Sequence, residues 1–352
     1  MDSRPKVLVV LTPAFPGNES ETHWVPTQQL FVKTLKELFP GLQVRILSFY
    51  YPYQTAPYEW HGLPVTPFNG TAQRKMRRLS FYTGVWQALK SIRQEFDITG
   101  LFSFWCGECA LMGHYFGKRY GIRHYCWLCG GDAMAANKLV KFIRPLPGEL
   151  IAMSDFLVNE FEKNHGIRPG YMIPNAIDPG VFPPLNSEVR DIDILGAGSL
   201  SPLKRYDLFV QIIGSLRQAH PAIRAMQCGE GGDREKIEAL IKDADLGDHF
   251  SLLGEKPHRE VLGLMQRTKV FLHTSGYEGF GVVCLEALYA GAHVISFSKP
   301  LNRDIPHWHV VNDAEEMTRK VSEILSDTSV EYKPVLEYTM QDTVQAVMEL
   351  FE

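Results

Sequence analysis

A glycine-bearing turn between an apolar strand and an apolar helix constrains this chain more than any other feature. Residues 270–275 (VFLHTS) have the composition of a buried strand, and the turn 278–281 (EGFG) follows. An apolar helix pattern begins at Val282 and stops at Gly291, before a second strand at 293–297. This order predicts a parallel sheet in which the turn presents backbone N–H groups and a helix N-terminus at the carboxyl end of a strand, where an anion can dock.

Two carboxylates bracket this turn and helix. Glu278 lies on the turn, and Glu286 follows about two helical turns later. Negative charge is unfavourable beside a phosphate, but carboxylates suit hydroxyl groups attached to that phosphate, such as those of a sugar or ribose. Glu286 could instead be a solvated helix residue. Its neighbours are apolar on all sides, however, and an unpaired carboxylate would be costly there, which favours a binding role.

The rest of the chain repeats the alternation of strands and helices. Apolar strand-like runs alternate with amphipathic segments on both sides of the proline-rich segment 178–190, which we interpret as a linker. The pattern predicts two doubly wound α/β domains, residues 1–187 and 188–336, and a terminal helix at 337–352. Residues 50–80 are rich in Tyr, Pro and Gly and are predicted to be irregular.

Composition indicates a soluble globular protein. The hydrophobic fraction is 45%, and the net charge of −4 gives no reason to expect nucleic acid as a partner. The first apolar run, 7–11, is shorter than a signal peptide requires, and no run approaches the ~20 residues that span a bilayer. We therefore expect a cytoplasmic location.

A basic cluster could be a solvated helix start, or could contact an anionic acceptor or the inner membrane surface; its members are Arg74, Lys75, Arg77 and Arg78.

The cysteines leave a second question open. Cys106 and Cys109, and Cys126 and Cys129, have the spacing of a four-thiolate zinc site. Cys126 belongs to a predicted strand, where two cysteines three residues apart would point to opposite faces, and cysteine is commonly buried. Buried thiols near a ligand cleft are therefore favoured over zinc. We also expect His307 and His309 to be a loop pair rather than a metal site.

The segment 270–297, with its E-x7-E spacing, internal G-F-G and following L-E-A-L-Y-A-G-A-H-V-I, resembles the signature of the retaining glycosyltransferases of family 4, also called glycosyl transferases group 1. The resemblance implies the GT-B fold, with two Rossmann-like domains facing across a cleft. It implies a retaining transfer of a sugar from a nucleotide-diphosphate sugar to the hydroxyl of a glycan, lipid-linked or small-molecule acceptor, as in polysaccharide biosynthesis. The C-terminal domain would bind the donor, and the N-terminal domain the acceptor.

The resemblance also assigns roles to residues. Glu278 would bind hydroxyls of the donor sugar, and Glu286 those of the ribose. Lys204, in the loop G-S-L-S-P-L-K-R, matches the lysine of the family's G-R-L-x-x-x-K-G motif and would stabilise the leaving diphosphate. Without that context, Lys204 and its neighbour would be a surface pair opening a helix. Sugar and phosphate oxygens would be held by the turn and first helical residues, namely Gly279, Phe280, Gly281, Val282 and Val283.

Several positions depart from the family pattern. Ser199 stands where the family has its arginine, so Arg205 or Arg303 would replace that cation. In the first half, Gly17 would face the diphosphate. Asp132 matches the family's H-G-x-D motif, with Cys129 in the histidine position, and would act on the catalytic side. The segment 298–306 lacks the Gly-Gly pair that relatives carry.

The implied reaction is a same-face substitution in which the leaving phosphate helps to deprotonate the acceptor. A UDP-, GDP- or ADP-sugar would be the substrate, with no cofactor and no metal, because cationic side chains can replace Mg²⁺. The departures from the motif keep open a catalytically silent sugar-nucleotide-binding subunit. A dinucleotide-dependent oxidoreductase is disfavoured because no G-x-G-x-x-G follows the first strand.

Overall fold

The computed structural model describes residues 4–22, 24–70, 78–184 and 189–352. The chain forms two compact units. Unit 1 comprises Met1–Asn175 together with Met340–Glu352, and unit 2 comprises Ala176–Thr339. Each unit has its own sheet and its own hydrophobic core. The predicted fold class, two α/β domains built on parallel sheets, is confirmed.

Unit 1 is built on a sheet that has eight strands in the described part of the chain, in the order β3-β4-β2-β1-β5-β6-β7-β8. All neighbours are parallel except β3 and β4. The strands are β1 (Lys6–Ala14), β2 (Gln43–Tyr51), β3 (Tyr58–Trp60), β4 (Leu63–Pro67), β5 (Asp97–Phe104), β6 (His124–Trp127), β7 (Leu150–Ala152) and β8 (Tyr171–Met172). The central strand β1 carries an uninterrupted apolar and buried run, residues 7–11, because helices cover both faces of a parallel sheet.

The helices of unit 1 include one from the far end of the chain. They are α1 (Pro26–Leu38), α2 (Arg78–Glu95), α3 (Glu108–Tyr120), α4 (Val140–Ile143), α5 (Asp155–His165) and α11 (Met340–Glu349). Helix α11 packs on α1, and Thr343 Oγ1 donates a hydrogen bond to the carbonyl of Pro174 at 2.9 Å. The terminal helix is therefore part of unit 1.

Unit 2 contains a parallel sheet with the strand order β11-β10-β9-β12-β13-β14 among its described residues. The strands are β9 (Ile192–Ala197), β10 (Ala225–Cys228), β11 (Phe250–Leu252), β12 (Thr268–His273), β13 (His293–Ser296) and β14 (Trp308–Val310); the helices are α6 (Tyr206–Leu216), α7 (Arg234–Asp243), α8 (His258–Gln266), α9 (Val282–Tyr289) and α10 (Ala314–Ser326). The order reverses between β9 and β12, and in open α/β sheets ligands bind at the carboxyl ends of the strands beside such a reversal.

Part of the segment predicted to be irregular is regular. Within residues 50–80, β3 and β4 form an antiparallel hairpin in which Tyr58 pairs with Val65, and β4 adds in parallel to β2. The burial of β4 alternates along Leu63–Pro67, as expected for a strand with one covered face. Proline cannot donate a backbone hydrogen bond within a sheet, so Pro64 and Pro67 hid the strand pattern of β4 even though β4 pairs on both sides.

The first division between the units falls after Asn175, whereas the sequence predicts it after residue 187. The ring of Phe182 packs on Tyr289 at a centroid distance of 4.7 Å, and the amide of Gln266 donates to the carbonyl of Pro183 at 2.9 Å. These contacts attach the start of the proline-rich segment to unit 2. Proline and polarity predicted a linker there, but they carry no information about such side-chain contacts.

Candidate functional site

The loops that follow β9 and β12 meet at the strand-order reversal of unit 2. The N–H of Gly276 donates to the carbonyl of Leu203 at 3.0 Å, and Thr274 Oγ1 donates to the carbonyl of Lys204 at 2.8 Å. Segments far apart in sequence are therefore joined by one backbone hydrogen bond and one bond from a side-chain hydroxyl to the backbone. This junction fixes where the side chains of the two loops can reach.

Lys204 and Glu278 form the central ion pair of this junction. Nζ of Lys204 lies 2.6 Å from Oε2 of Glu278, and only 22% of each side chain is exposed. Nε2 of His273 lies 3.4 Å from the same oxygen. Burial by itself would raise the pKa of Glu278, but the proximity of His273 and the charge of Lys204 outweigh it and lower the pKa to about 2. Glu278 is therefore an anion that accepts hydrogen bonds throughout the physiological pH range.

His273 was not identified from the sequence. It is the last residue of β12, its side chain is 4% exposed, and neither ring nitrogen makes a hydrogen bond among the described residues. The available signal was its position, because the last residue of an apolar strand lies at the carboxyl end of the sheet, where ligands bind. The buried imidazole lies directly against the carboxylate of Glu278.

Glu286 is also paired. Oε1 of Glu286 lies 2.7 Å from Nε2 of His258, the first residue of α8, and 15% of the Glu286 side chain is exposed. Burial opposes protonation of His258, but the hydrogen bond and the charge of Glu286 prevail and raise its pKa. No motif points to His258, because its contact with Glu286 joins two helices that are separate in sequence. The pair explains how a carboxylate is tolerated on the apolar helix α9.

The glycine turn between the two glutamates starts helix α9. Gly281 has φ = 82° at the N-cap, a left-handed conformation that glycine adopts without strain. Gly279, Phe280 and Gly281 are buried, and Val282 and Val283 are the first residues of the helix. The N–H groups at a helix start have no acceptor within the helix and carry partial positive charge. The predicted anion-docking geometry is thus present, and the ligand contacts of these residues stay predictions.

The two arginines that were expected to supply a second cation contact side chains other than Glu278. Ser199 is exposed. The guanidinium of Arg205 lies over the ring of Phe297, 5.8 Å from its centroid, and that of Arg303 pairs with Glu337. Within the part of the chain that the structure describes, Lys204 and His273 are the ion-pair partners of Glu278, and neither arginine joins them. The donor-binding roles of Ser199 and Arg205 stay predictions.

The glycine-rich loop 228–233, which follows β10, packs against the loop 198–205 that carries Lys204. The N–H of Leu200 donates to the carbonyl of Glu230 at 3.0 Å. A Cβ on Gly229 would lie 2.1 Å from the carbonyl oxygen of Gly198, and one on Gly231 would lie 2.2 Å from that of Leu200. The glycines are therefore needed for close backbone approach, in agreement with an architectural role for this loop.

The two predicted site residues of the first half lie in unit 1. The N–H of Gly17 donates to Oε2 of Glu21 at 2.9 Å, so an anionic group already occupies that amide. Asp132 is buried and accepts the N–H of Cys129 at 2.8 Å. Burial raises the pKa of Asp132 to about 7, although the backbone hydrogen bonds oppose this. The predicted roles of Gly17 and Asp132 stay predictions, because the hydrogen bonds described for them join residues at most four positions apart.

All six cysteines are buried and unbridged, and burial raises the pKa of Cys126 and Cys129. Across the described ranges, no group of three or more His, Cys, Asp or Glu side chains is arranged to hold a metal ion. His309 lies 3.1 Å from His293, ring nitrogen to ring nitrogen.

The basic cluster of Arg74, Lys75, Arg77 and Arg78 lies outside the residues whose side chains are described. No helix in the described chain is long and apolar enough to cross a membrane.

The two-domain architecture is the GT-B fold. The chain is similar to the crystal structure of Anabaena Alr3699/HepE in complex with UDP and glucose, with a TM-score of 0.66 at 16% identity over 99% of this chain and 96% of that one. At this identity the likeness establishes the fold alone.

Sequence comparison locates the family resemblance in unit 2. Residues 181–337 match the model of the family described as glycosyl transferases group 1. The chain is 26% identical over 251 residues to the phosphatidylinositol N-acetylglucosaminyltransferase gpi3 subunit of Schizosaccharomyces pombe, covering 68% of this chain and 55% of the relative. It is 31% identical over 103 residues to the 2-deoxystreptamine N-acetyl-D-glucosaminyltransferase of Niallia circulans, covering 29% and 26%. The chain thus spans about half the length, or less, of these relatives.

Proposed function

We propose that this protein is a glycosyltransferase that moves a sugar from a nucleotide-diphosphate sugar to an acceptor hydroxyl with retention of configuration. The observation that carries the proposal is the Lys204–Glu278 pair at the strand-order reversal of unit 2. An ammonium and a permanently ionised carboxylate lie side by side, next to the start of α9. This combination suits a ligand that carries phosphate and hydroxyl groups together.

Each member of the pair has a separate task in this reaction. As the glycosyl–phosphate bond breaks, negative charge grows on the leaving diphosphate, and Lys204 and the N–H groups of α9 stabilise it. Glu278 accepts hydrogen bonds from sugar hydroxyls, and Glu286, oriented by His258, accepts those of the ribose. We propose that no metal is needed, because Lys204 supplies the cation. Asp132 is proposed to act in unit 1 on the acceptor hydroxyl, since a carboxyl with a pKa of about 7 can hold or release a proton.

The relatives suggest which donor to test first. The S. pombe and N. circulans proteins differ in the acceptor that their names give, a phosphatidylinositol and an aminocyclitol, but share the transferred group, N-acetylglucosamine. The HepE structure contains UDP. We therefore propose UDP-N-acetylglucosamine as the donor, with a sugar or lipid-linked acceptor.

Donor binding is the first experiment. Thermal shift is measured with UDP-, GDP- and ADP-sugars and with NAD, and we expect stabilisation by UDP-N-acetylglucosamine and none by NAD. Stabilisation by NAD alone would favour an oxidoreductase and refute the proposal. Release of UDP and the anomeric configuration of the product are then followed by NMR. Binding without turnover would instead favour a silent sugar-nucleotide-binding subunit, for which Ser199 at the arginine position is the supporting feature.

Site variants test the assigned roles. We expect Glu278→Gln and Lys204→Ala each to lower kcat/KM at least 100-fold, the effect of removing one electrostatic contact to a transition state. Glu331→Gln is the matched control, because Glu331 pairs with Lys333 on the surface of the same unit, where both side chains are about two-thirds exposed. Near-normal turnover in either site variant, with the fold intact, would rule out the role given to that residue.

A further inference from the structure

A strongly basic region of unit 1 contrasts with the acidic chain as a whole. Residues 109–148 contain six Lys and Arg but a single acidic residue, Asp132, whereas the net charge of the protein is −4. Asp132 is buried, so it does not neutralise the surface of this region. The positive charge is therefore concentrated on one part of unit 1, with no function assigned to it by the donor site in unit 2.

Two large apolar side chains project from the same region. Phe142 is 67% exposed and Leu146 63%, the two highest exposures among large apolar side chains in the described residues apart from Tyr53 and Val189. Helix α4 holds Phe142 outward, because Val140 and Ile143 of the same turn are buried. The hydroxyl of Tyr115 donates to the carbonyl of Phe142 at 2.8 Å, which anchors the turn to α3.

Three of the basic side chains and one of the two apolar side chains line the same cavity, and Lys141 and Phe142 adjoin its lining residue Ile143 in sequence. A cavity of about 670 Å³ is lined by Lys118, Arg123, Arg144 and Leu146. We call the side chains Lys118, Arg123, Lys141, Phe142, Arg144 and Leu146 the basic–apolar surface. Lys118, Arg123, Lys141 and Arg144 are exposed, and the ion pairs identified in the described chain involve none of them. Their charges are available to a partner.

The cavity has a polar floor. His114 and His124 line it, and Nδ1 of the buried His124 has no hydrogen-bond partner in the described residues. Glu149, the acidic residue of the lining, is already engaged: it lies 3.1 Å from Nδ1 of His114 and accepts the N–H of Leu146 at 2.7 Å. The floor is therefore lined by polar residues without adding an unpaired negative charge.

This surface is separate from the predicted site residues of unit 1. The cavity lining includes Arg123, just before β6, and Glu149, just before β7, so it lies at the amino ends of these strands. Asp132 follows β6 and therefore lies at the opposite, carboxyl edge of the sheet. A partner bound at the basic–apolar surface would leave that edge uncovered.

We propose that the basic–apolar surface docks on an anionic phospholipid bilayer. Phe142 and Leu146 enter the interface between headgroups and acyl chains, and Lys118, Arg123, Lys141 and Arg144 contact lipid phosphates, with the cavity receiving a headgroup. The charge complementarity selects this occupant: basic side chains around exposed apolar ones are the composition of interfacial anchors, and each Lys or Arg strengthens binding to an acidic leaflet roughly fivefold. The proposal does not depend on the transferase activity.

Co-sedimentation with vesicles tests the proposal. The full chain is incubated with vesicles of phosphatidylcholine alone and of phosphatidylcholine with about one-third phosphatidylserine, at low and high salt. We expect binding to the acidic vesicles only, weakened by salt. Lys141→Gln with Arg144→Gln should weaken it about 25-fold, two fivefold steps, and Phe142→Ser with Leu146→Ser should weaken it at least tenfold.

Matched variants on unit 2 provide the controls. Lys236→Gln with Lys242→Gln removes two exposed charges, and Val310→Ser with Leu336→Ser removes two exposed apolar side chains, so neither pair should change binding. Circular dichroism of every variant verifies folding. Absence of binding to acidic vesicles, equal binding to neutral ones, or a loss that follows only from substituting Arg74 and Lys75 would overturn the proposal. Sugar transfer to a soluble acceptor is measured in parallel without vesicles. A loss of vesicle binding with transfer intact concerns the basic–apolar surface alone, whereas an absence of transfer concerns the proposed function.

Discussion

The ion pair of Lys204 and Glu278 makes a measurable contribution to the free energy of unfolding. The pKa of Glu278 falls from 4.5 to about 2 in the folded protein. At about 1.4 kcal/mol per unit, the ionised carboxylate contributes roughly 3 kcal/mol to the free energy of unfolding. Because the folded pKa is depressed, this stabilisation is fully present above pH 4.5 and is lost as the pH falls through about 2. His273 and Lys204 share it, so we expect a coupling of about 1–2 kcal/mol between Lys204 and Glu278.

A double-mutant cycle measures that coupling. The free energies of unfolding of the wild type, Lys204→Met, Glu278→Gln and the double variant are obtained from urea denaturation at pH 7, with unit 2 monitored separately if the two units unfold apart. The cycle is repeated at pH 3, where the coupling should be smaller because Glu278 begins to be protonated in Lys204→Met. The control cycle uses Lys236 and Asp207, an exposed pair 3.7 Å apart that should couple weakly. Additivity within about 0.5 kcal/mol at pH 7 would refute the pairing.

Four further predictions follow from the described contacts. Glu286→Gln removes the charge that favours protonated His258, so the pKa of His258 should fall, and an unchanged midpoint in an NMR titration of the imidazole would contradict the pairing. Gly281→Ala places a side chain at φ = 82°, which should cost about 1–2 kcal/mol; an unchanged Tm in calorimetry would argue against this turn conformation. Burial raises the pKa of Asp132 from 3.8 to about 7 in the folded protein, so unit 1 should lose up to roughly 4 kcal/mol of stability as the pH rises from about 4 through 7. Asp132→Asn should flatten this pH dependence of the free energy of unfolding, measured by urea denaturation. An equal slope in both proteins would be inconsistent with the burial of Asp132. All six thiols are buried, so a thiol reagent should react with them slowly in the native protein and completely in denaturant; rapid native reaction would show that a cysteine is exposed.

The sequence predicted the fold well because its signals are local. Apolar runs such as 270–273 become strands, and the turn 278–281 needs glycine at Gly281 for backbone reasons that a sequence displays directly. The hairpin of β3 and β4 was missed because Pro64 and Pro67 lie within β4, and proline is unusual inside a strand.

The site residues were predicted only where they lie in local sequence motifs. Glu278, Glu286 and Lys204 lie in motifs with fixed spacing, and the structure brings Lys204 to Glu278. His258 and His273 lie in no motif, and their contacts with the glutamates form only when helices and loops pack. A charge partner is chosen by three-dimensional proximity, which single-residue patterns do not encode. Arg303 is a further example: the sequence shows its charge but not its ion-pair partner Glu337, and its role at the donor stays a prediction.

Unit 2 is an insertion between two parts of unit 1, and its two boundaries lie together. Ile177, near its first residue, forms a bridge with Thr339, its last, and the N–H of Ile177 donates to the carbonyl of Tyr338 at 3.4 Å. A segment whose ends meet can be excised or replaced while the flanking chain keeps the same spacing. Residues 176–339 thus have the anatomy of an exchangeable cassette. Under the proposed function, a homologous unit joined at these two positions would bring a different donor preference to an unchanged unit 1, by exchange of one segment rather than by many point substitutions.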